Sequence, residues 1–251
     1  AQEILERDAF RTGRFGPLRR QRRAPAEHAH AKGLGQSSDG AAQFTMTQQP
    51  LTYFGEIVTT THDLTMFHFV RRGKTPKLLF ALKMTLYRLL FKWSHMKSDK
   101  IIVPTKYVAA DLAAYQPSTK HKIVVTYEAS EPANAAIKAT RPEMVDANDN
   151  FIMYLGNAFP HKNLPRLVEA FEILKESHAD LKLVLVGKKD IHYQEIATKI
   201  SKLPYAKDIL ITGFLPDEEA KWLYQHTQAY VFPSLSEGFG LPALEAMAHG
   251  A

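Results

Sequence analysis

The stretch 229–251, AYVFPSLSEGFGLPALEAMAHGA, constrains the fold more than any other part of the chain. Its apolar start, 229–232, predicts a short strand. Gly238 and Gly240 then indicate a loop, and a helical pattern follows from Pro242, which suits a first helical turn because the N–H that proline lacks would have no partner there. A glycine loop between a strand and a helix N-terminus exposes backbone N–H groups. Such a junction attracts anions, above all phosphate.

Two carboxylates frame this junction. Glu237 stands in the loop and Glu245 inside the helix. A carboxylate near a phosphate site is favourable when it accepts hydrogen bonds, and hydroxyl groups are the natural donors. We therefore interpret the pair as holding hydroxyl groups on either side of a diphosphate. The alternative is a solvated loop residue at 237 and a partner of the helix dipole at 245.

The segment SEGFGLPALEAMAHG resembles the donor-site signature of the group 1 (family 4) retaining glycosyltransferases. That resemblance implies the GT-B fold, an α/β architecture with two Rossmann-like domains and parallel sheets. It also implies a nucleoside diphosphate sugar as donor substrate and no further cofactor. The loop glutamate would hold sugar hydroxyls, the helix glutamate the ribose, and the backbone between them the diphosphate. The donor contacts implied here are Glu237, Gly238, Phe239, Gly240, Leu241 and Glu245.

A second loop points to the same ligand. The apolar strand FIMYL ends in Gly156 and Asn157, and Lys162 follows in the loop. Gly156 lets the backbone approach a ligand, and Lys162 brings positive charge to a phosphate. In the family that this loop resembles, an arginine and a lysine neutralise the leaving diphosphate. Lys162 matches that lysine, whereas Asn157 stands where the arginine is frequent. The alternative for Lys162 is a solvated loop lysine.

Two further segments complete the predicted site. The turn TGFLP resembles the family's contact with the nucleotide base, which implies donor contacts by Gly213, Phe214 and Leu215. The alternative is that Phe214 is a buried core residue without a role in binding. His62 follows the strand pattern EIVTTT, at the carboxyl end where open α/β sheets bind ligands. THDLT also resembles the acceptor-domain loop whose histidine reaches the donor sugar. The predicted catalytic residues are therefore His62, Lys162 and Glu237. No Asp-x-Asp motif is present there, so we expect no metal.

Strand and helix patterns alternate through most of the chain, which indicates parallel sheets covered on both faces. We predict a partial acceptor-side Rossmann-like domain over 46–130, a linker over 131–150 and a donor-binding domain over 151–251. Both domains are expected to be incomplete. Residues 1–45 read as a disordered or irregular basic extension, because the segment cannot bury enough apolar surface to offset its ordering.

Charge is uneven along the chain. The net charge of +6 arises in residues 1–150, because acids outnumber bases in 151–251. Residues 71–97 combine leucines at helical spacing with lysines and arginines and contain no acid. That pattern fits contact with an anionic membrane surface, and the alternative is a core helix with a solvated basic face. The arginines Arg19, Arg20, Arg22 and Arg23 could contact nucleic acid, but a short basic run is more often solvated.

The composition and the resemblance together favour a cytoplasmic enzyme at the inner face of a membrane. The chain has no cysteine, no apolar run long enough to span a bilayer and no signal-peptide pattern. The resemblance implies transfer of a hexose, mannose or glucose, with retention to a hydroxyl of a saccharide or lipid-linked acceptor in polysaccharide biosynthesis. One alternative is a sugar-nucleotide-binding remnant without catalysis. Another is a basic nucleic-acid-binding protein.

Overall fold

The structure is a computed structural model that describes residues 55–69, 75–130 and 137–251, together with two short strands before residue 45. Residues 34–251 form one compact unit that contains two sheets.

The first sheet has five strands in the order β1-β2-β3-β4-β5. Only the β1–β2 pair is antiparallel. The strands are β1 Gly35–Gln36, β2 Ala42–Phe44, β3 Ile57–Thr60, β4 Lys100–Val103 and β5 Ile123–Val125, and the helices are α1 Thr65–His68, α2 Lys77–Lys97 and α3 Lys106–Tyr115. Phe91 of α2 and Leu112 of α3 pack against the buried strand residues Ile101 and Val103. Helix α3 begins where the Thr105 hydroxyl accepts the Val108 N–H, an ordinary N-cap.

The second sheet has four parallel strands in the order β8-β7-β6-β9. Its strands are β6 Phe151–Leu155, β7 Lys182–Val186, β8 Ile209–Gly213 and β9 Ala229–Tyr230, and its helices are α4 Leu164–Lys175, α5 Ile191–Ile200, α6 Asp217–His226 and α7 Leu241–His249. The first three strands run outward from β6 in chain order, and β9 returns to the other side of β6. The strand order therefore reverses between β6 and β9.

Helices cover both faces of this second sheet. In β6, Ile152 and Tyr154 point into a core shared with α4 and α5. The alternate residues Phe151 and Met153 point into a core shared with α6 and α7. Because successive side chains of a strand face opposite sides, a fully apolar strand such as FIMYL has to be buried on both. The alternation predicted from the sequence is thus present in this sheet.

The predicted boundaries agree with the structure in part. The strand at 151–155 lies where the apolar run FIMYL predicts it. The segment 137–150, within the predicted linker, has no helix or strand, yet Val145 is fully buried against the α6 and α7 core. Strands β1 and β2 fall inside the segment expected to be irregular. The rest of 1–45, with Arg19, Arg20, Arg22 and Arg23, lies outside the described residues.

His95 makes stability depend on pH. Its side chain is fully buried between the Phe91 carbonyl, to which Nδ1 donates at 2.7 Å, and the Thr61 hydroxyl, 2.7 Å from Nε2. Burial lowers the pKa of His95 from 6.5, against a smaller opposing effect of the Phe91 hydrogen bond. Below about pH 6.5 the unfolded chain therefore binds a proton that the folded chain excludes.

We expect the free energy of unfolding to fall as the pH drops from about 6.5 towards the lowered pKa of the folded state. His95→Gln should remove that part of the pH dependence, and His178→Gln, at an exposed position, should keep it. Urea unfolding at a series of pH values measures the effect. An equal pH dependence in the chain and in His95→Gln would contradict the assignment.

Candidate functional site

Two loops meet at the point where the strand order of the second sheet reverses. One follows β6 and the other follows β9, so both leave neighbouring parallel strands at the same edge. The Leu235 N–H donates to the His161 carbonyl at 2.7 Å, and the Asn163 amide donates to the Pro233 carbonyl at 3.2 Å. Such a reversal leaves a crevice at the carboxyl ends of the strands, which is where open α/β sheets bind ligands.

An ion pair links the two loops across this crevice. Nζ of Lys162 lies 2.6 Å from Oε1 of Glu237, with the side chains 12% and 25% exposed. The Lys162 ammonium also lies 5.6 Å from the centre of the Phe232 ring, a cation–π distance. Because both groups are mostly shielded from water, their attraction exceeds that of a surface pair. The sequence prediction that Lys162 and Glu237 share a site is consistent with this geometry.

Helix α7 begins after the β9 loop, with Gly240 next to the Phe232 ring that Lys162 contacts. Gly240 precedes it with φ of 90°, a left-handed conformation that glycine adopts without steric cost. Within the described residues, no side chain caps this end of the helix. The Leu241 N–H therefore joins the positive end of the helix dipole at the mouth of the loop. The arrangement is chemically suited to a phosphate group.

Glu245 lies one turn further along α7 and is half-buried. Burial raises the pKa of this carboxyl, with His249 acting to lower it and Asp217 to raise it. Burial, and to a lesser degree the charge of Glu245, raises the pKa of Tyr224. Asp217 and Tyr224 of α6 are thus among the groups that interact electrostatically with Glu245.

The remaining donor-site residues predicted from the sequence lie after β6 and at the end of β8. The Gly156 carbonyl accepts from the Tyr193 hydroxyl at 2.9 Å, and the Asn157 side chain accepts from the Phe159 N–H at 3.3 Å. Gly213 is the last residue of β8, two strands away from β6, and Phe214 and Leu215 follow it. Phe214 is 82% exposed, which excludes the core-filler reading.

The β9 loop also meets the first sheet, at the carboxyl ends of β3 and β4. The Thr105 hydroxyl donates to the Gly238 carbonyl at 3.0 Å, and the Thr65 and Ser236 hydroxyls lie 3.4 Å apart. A Cβ on Gly238 would stand 2.2 Å from the His62 carbonyl oxygen. Only glycine therefore permits this approach of the two backbones. His62, predicted from its place after a strand, lies beside Gly238 in the structure.

Sequence reasoning missed the partner of His62. Nδ1 of His62 lies 2.9 Å from Oε1 of Glu128, a residue three positions beyond β5. A carboxylate only accepts hydrogen bonds, so Nδ1 is the ring nitrogen that carries hydrogen. The contact fixes the ring and leaves Nε2 for another group. The available signal was an acid directly after a parallel strand, at the same sheet edge as His62.

An open cavity of about 300 Å³ lies where these pieces meet. Thr105 and Tyr107 of the first sheet's side line it, together with residues 234–239 of the β9 loop. Within the described part of the chain, no group of three or more His, Asp or Glu side chains could hold a metal ion.

Comparison with known proteins agrees with this geometry. Residues 138–251 match the family model of glycosyl transferases group 1. The serotype-specific mannosyltransferase WbdA of Escherichia coli is 29% identical over 177 residues, which cover 69% of this chain and 20% of that protein. The O-antigen chain mannosyltransferase B of Escherichia coli is 26% identical over 199 residues, 77% of this chain and 51% of its own length. The chain thus spans between a fifth and a half of these relatives.

The crystal structure of WaaG, a glycosyltransferase involved in lipopolysaccharide biosynthesis, superposes with a TM-score of 0.58 at 15% identity. The match covers 83% of this chain and 57% of WaaG. The fold is therefore of the GT-B type, with two parallel-sheet Rossmann-like halves. Within it, residues 138–251 are the part that matches the family model of glycosyl transferases group 1.

The close approach at Gly238 gives a direct test of the contact between the two halves. Gly238→Ala should lower the free energy of unfolding by about 1–3 kcal/mol, because the new methyl group collides with the His62 carbonyl. Amide hydrogen exchange should accelerate in residues 61–63 and 234–240.

Gly250→Ala is the control for this variant. A Cβ at position 250 would meet no atom within 4 Å. Because φ there is 90°, the substitution should destabilise only the local backbone at the end of α7. Amide hydrogen exchange in residues 61–63 should be the same in this control as in the unchanged chain. Equal exchange in both variants would refute the tight contact at Gly238.

Proposed function

We propose that this chain binds a nucleoside diphosphate sugar and transfers its hexose, with retention, to a hydroxyl group of a saccharide or lipid-linked acceptor. The observation that carries the proposal is the meeting of Lys162, Glu237 and the uncapped N-terminus of α7 at the strand-order reversal, opposite His62. Cations and free N–H groups at that point suit a diphosphate, and carboxylates suit hydroxyl groups.

In the proposed reaction the bond between the anomeric carbon and the diphosphate oxygen breaks, and negative charge builds up on that oxygen. Lys162 and the N–H groups near Gly240 and Leu241 stabilise this charge as it develops, which is electrostatic catalysis. The Lys162 ammonium forms an ion pair with Glu237, so a bound diphosphate would interact with an ammonium that Glu237 already contacts. Glu237 then orients the sugar and Glu245 the ribose.

The relatives favour mannose as the transferred sugar. Both Escherichia coli proteins carry the name mannosyltransferase, and one of them acts on the O-antigen chain according to its name. We accordingly propose a mannosyl donor and a role in polysaccharide biosynthesis, with glucose as the other candidate. The proposed location is the cytoplasmic face of a membrane.

Lys162→Gln tests the diphosphate contact. Loss of a charge-assisted hydrogen bond should weaken binding of UDP or GDP, whichever the chain prefers, about 10- to 100-fold. Calorimetric titration measures the affinity, and a thermal unfolding scan verifies that the variant is folded. Lys202→Gln, at an exposed position, should retain the affinity of the unchanged chain.

Affinity that is unaltered in Lys162→Gln, or absence of binding to any of UDP, GDP and ADP, would overturn the donor assignment. A donor-hydrolysis assay with the sugar nucleotide that binds then distinguishes an enzyme from a binding remnant. Turnover supports the transferase, and tight binding without turnover supports the remnant.

Glu128 is proposed as a positioning residue for His62. Glu128→Gln should lower the kcat of donor hydrolysis about tenfold, because the amide no longer fixes hydrogen on Nδ1, and should leave the donor KM within about twofold. Glu195→Gln, an exposed acid on α5, is the control and should change neither constant. A rise in KM without a fall in kcat would contradict a role in positioning the ring.

A further inference from the structure

Helix α2 is buried on one side and carries an exposed apolar surface on the opposite side. Towards the sheet it buries Phe91, Ser94 and His95. Away from the sheet it exposes four leucines that share one stripe: Leu78 (85% exposed), Leu82 (66%), Leu86 (56%) and Leu89 (62%). At about 100° per residue these four fall within an arc of about 80°, centred opposite the buried side. We call them the leucine stripe.

The leucine stripe excludes the reading of α2 as a core helix with a solvated basic face. Only one side of α2 reaches the core, and the predicted leucines lie mainly on the other. A contiguous exposed apolar surface of this kind marks a site of interaction rather than an ordinary surface. Met96, 55% exposed, extends the stripe towards the end of the helix.

Cations flank the leucine stripe on both sides. On the helical wheel Arg88 and Lys92 lie on one side of the stripe, and Lys83 and Lys97 lie on the other. The helix contains no aspartate or glutamate in its 21 residues. Apolar residues between two rows of lysines and arginines are the pattern of a helix that lies in the interface of an anionic membrane. The apolar stripe enters the acyl boundary while the cations meet phosphate headgroups.

We propose that α2 is a membrane-docking element, with an anionic phospholipid surface as its partner. Charge complementarity selects this partner. A second copy of the same helix would place its own cations against these, and nucleic acid would leave the leucines exposed. Among the described residues, no helix is long and apolar enough to span a bilayer.

The position of α2 suits an acceptor held at that surface. A crossover helix between parallel strands runs opposite to them, so the first turns of α2 lie towards the sheet edge that carries His62. Leu78 and Leu82 stand in those turns. Docking through the leucine stripe would bring a lipid surface to the side of the cleft. The inference extends the proposed membrane location but rests on α2 itself, not on transfer activity.

Vesicle flotation tests the proposal. The chain should float with vesicles of phosphatidylglycerol and phosphatidylcholine and bind pure phosphatidylcholine at least tenfold more weakly, because the cations need anionic headgroups. Two variants address the two parts of the surface. Leu82→Gln/Leu86→Gln/Leu89→Gln removes most of the stripe, and Lys83→Gln/Lys92→Gln/Lys97→Gln removes three of the flanking cations. Each should weaken binding to the anionic vesicles at least tenfold.

The control variants place changes of the same type away from α2. Lys138→Gln/Lys202→Gln/Lys207→Gln removes three exposed lysines, and Ile173→Gln removes an exposed apolar side chain. Both should bind vesicles like the unchanged chain. Trp93, within α2, gives a second readout, since brominated lipid should quench its fluorescence.

The proposal would be overturned if the unchanged chain did not float with anionic vesicles. It would also be overturned if the control variants lost as much vesicle binding as the α2 variants, or if both α2 variants still bound the vesicles. Sedimentation velocity measures the oligomeric state and can give a further contradicting result. A dimer that becomes monomeric in the leucine variant would assign the stripe to a second copy of the chain. Nucleotide titration of the α2 variants separates this result from the donor site, because their affinity for UDP or GDP should stay unchanged.

Discussion

The ion pair between Lys162 and Glu237 ties together the loops that follow β6 and β9. Those loops are neighbours because the strand order reverses between these two strands. The pair is mostly shielded from water, so it orders the loops before any ligand arrives. A preorganised cation, a carboxylate and a helix N-terminus then converge on one crevice.

Gly238 joins that crevice to the first sheet. Its lack of a side chain lets the β9 loop rest on the His62 carbonyl, and the Thr105 hydroxyl holds the same residue from the next strand. The site is therefore shared by the two halves of the chain. Glu128, which follows β5, supports this site because its carboxylate accepts a hydrogen bond from the His62 ring.

Much of this could be predicted from the sequence because it depends on local pattern. The apolar run FIMYL predicts the bounds of β6, and the strand, loop and helix expected over 229–251 are present. Contacts between distant segments could not be predicted in the same way. The pairing of His62 with Glu128 spans 66 residues, and the outward direction of the leucine stripe depends on which side of α2 meets the sheet. Periodicity identifies an apolar face but not its partner.

The central claim is that one acid holds the sugar and the other holds the ribose on either side of a bound diphosphate. The most direct test is a calorimetric comparison of a sugar nucleotide with its nucleoside diphosphate, measured on Glu237→Gln and on Glu245→Gln. The account predicts that Glu237→Gln weakens binding of the sugar nucleotide alone, whereas Glu245→Gln weakens binding of both ligands. Unchanged affinity of both variants for both ligands would contradict it.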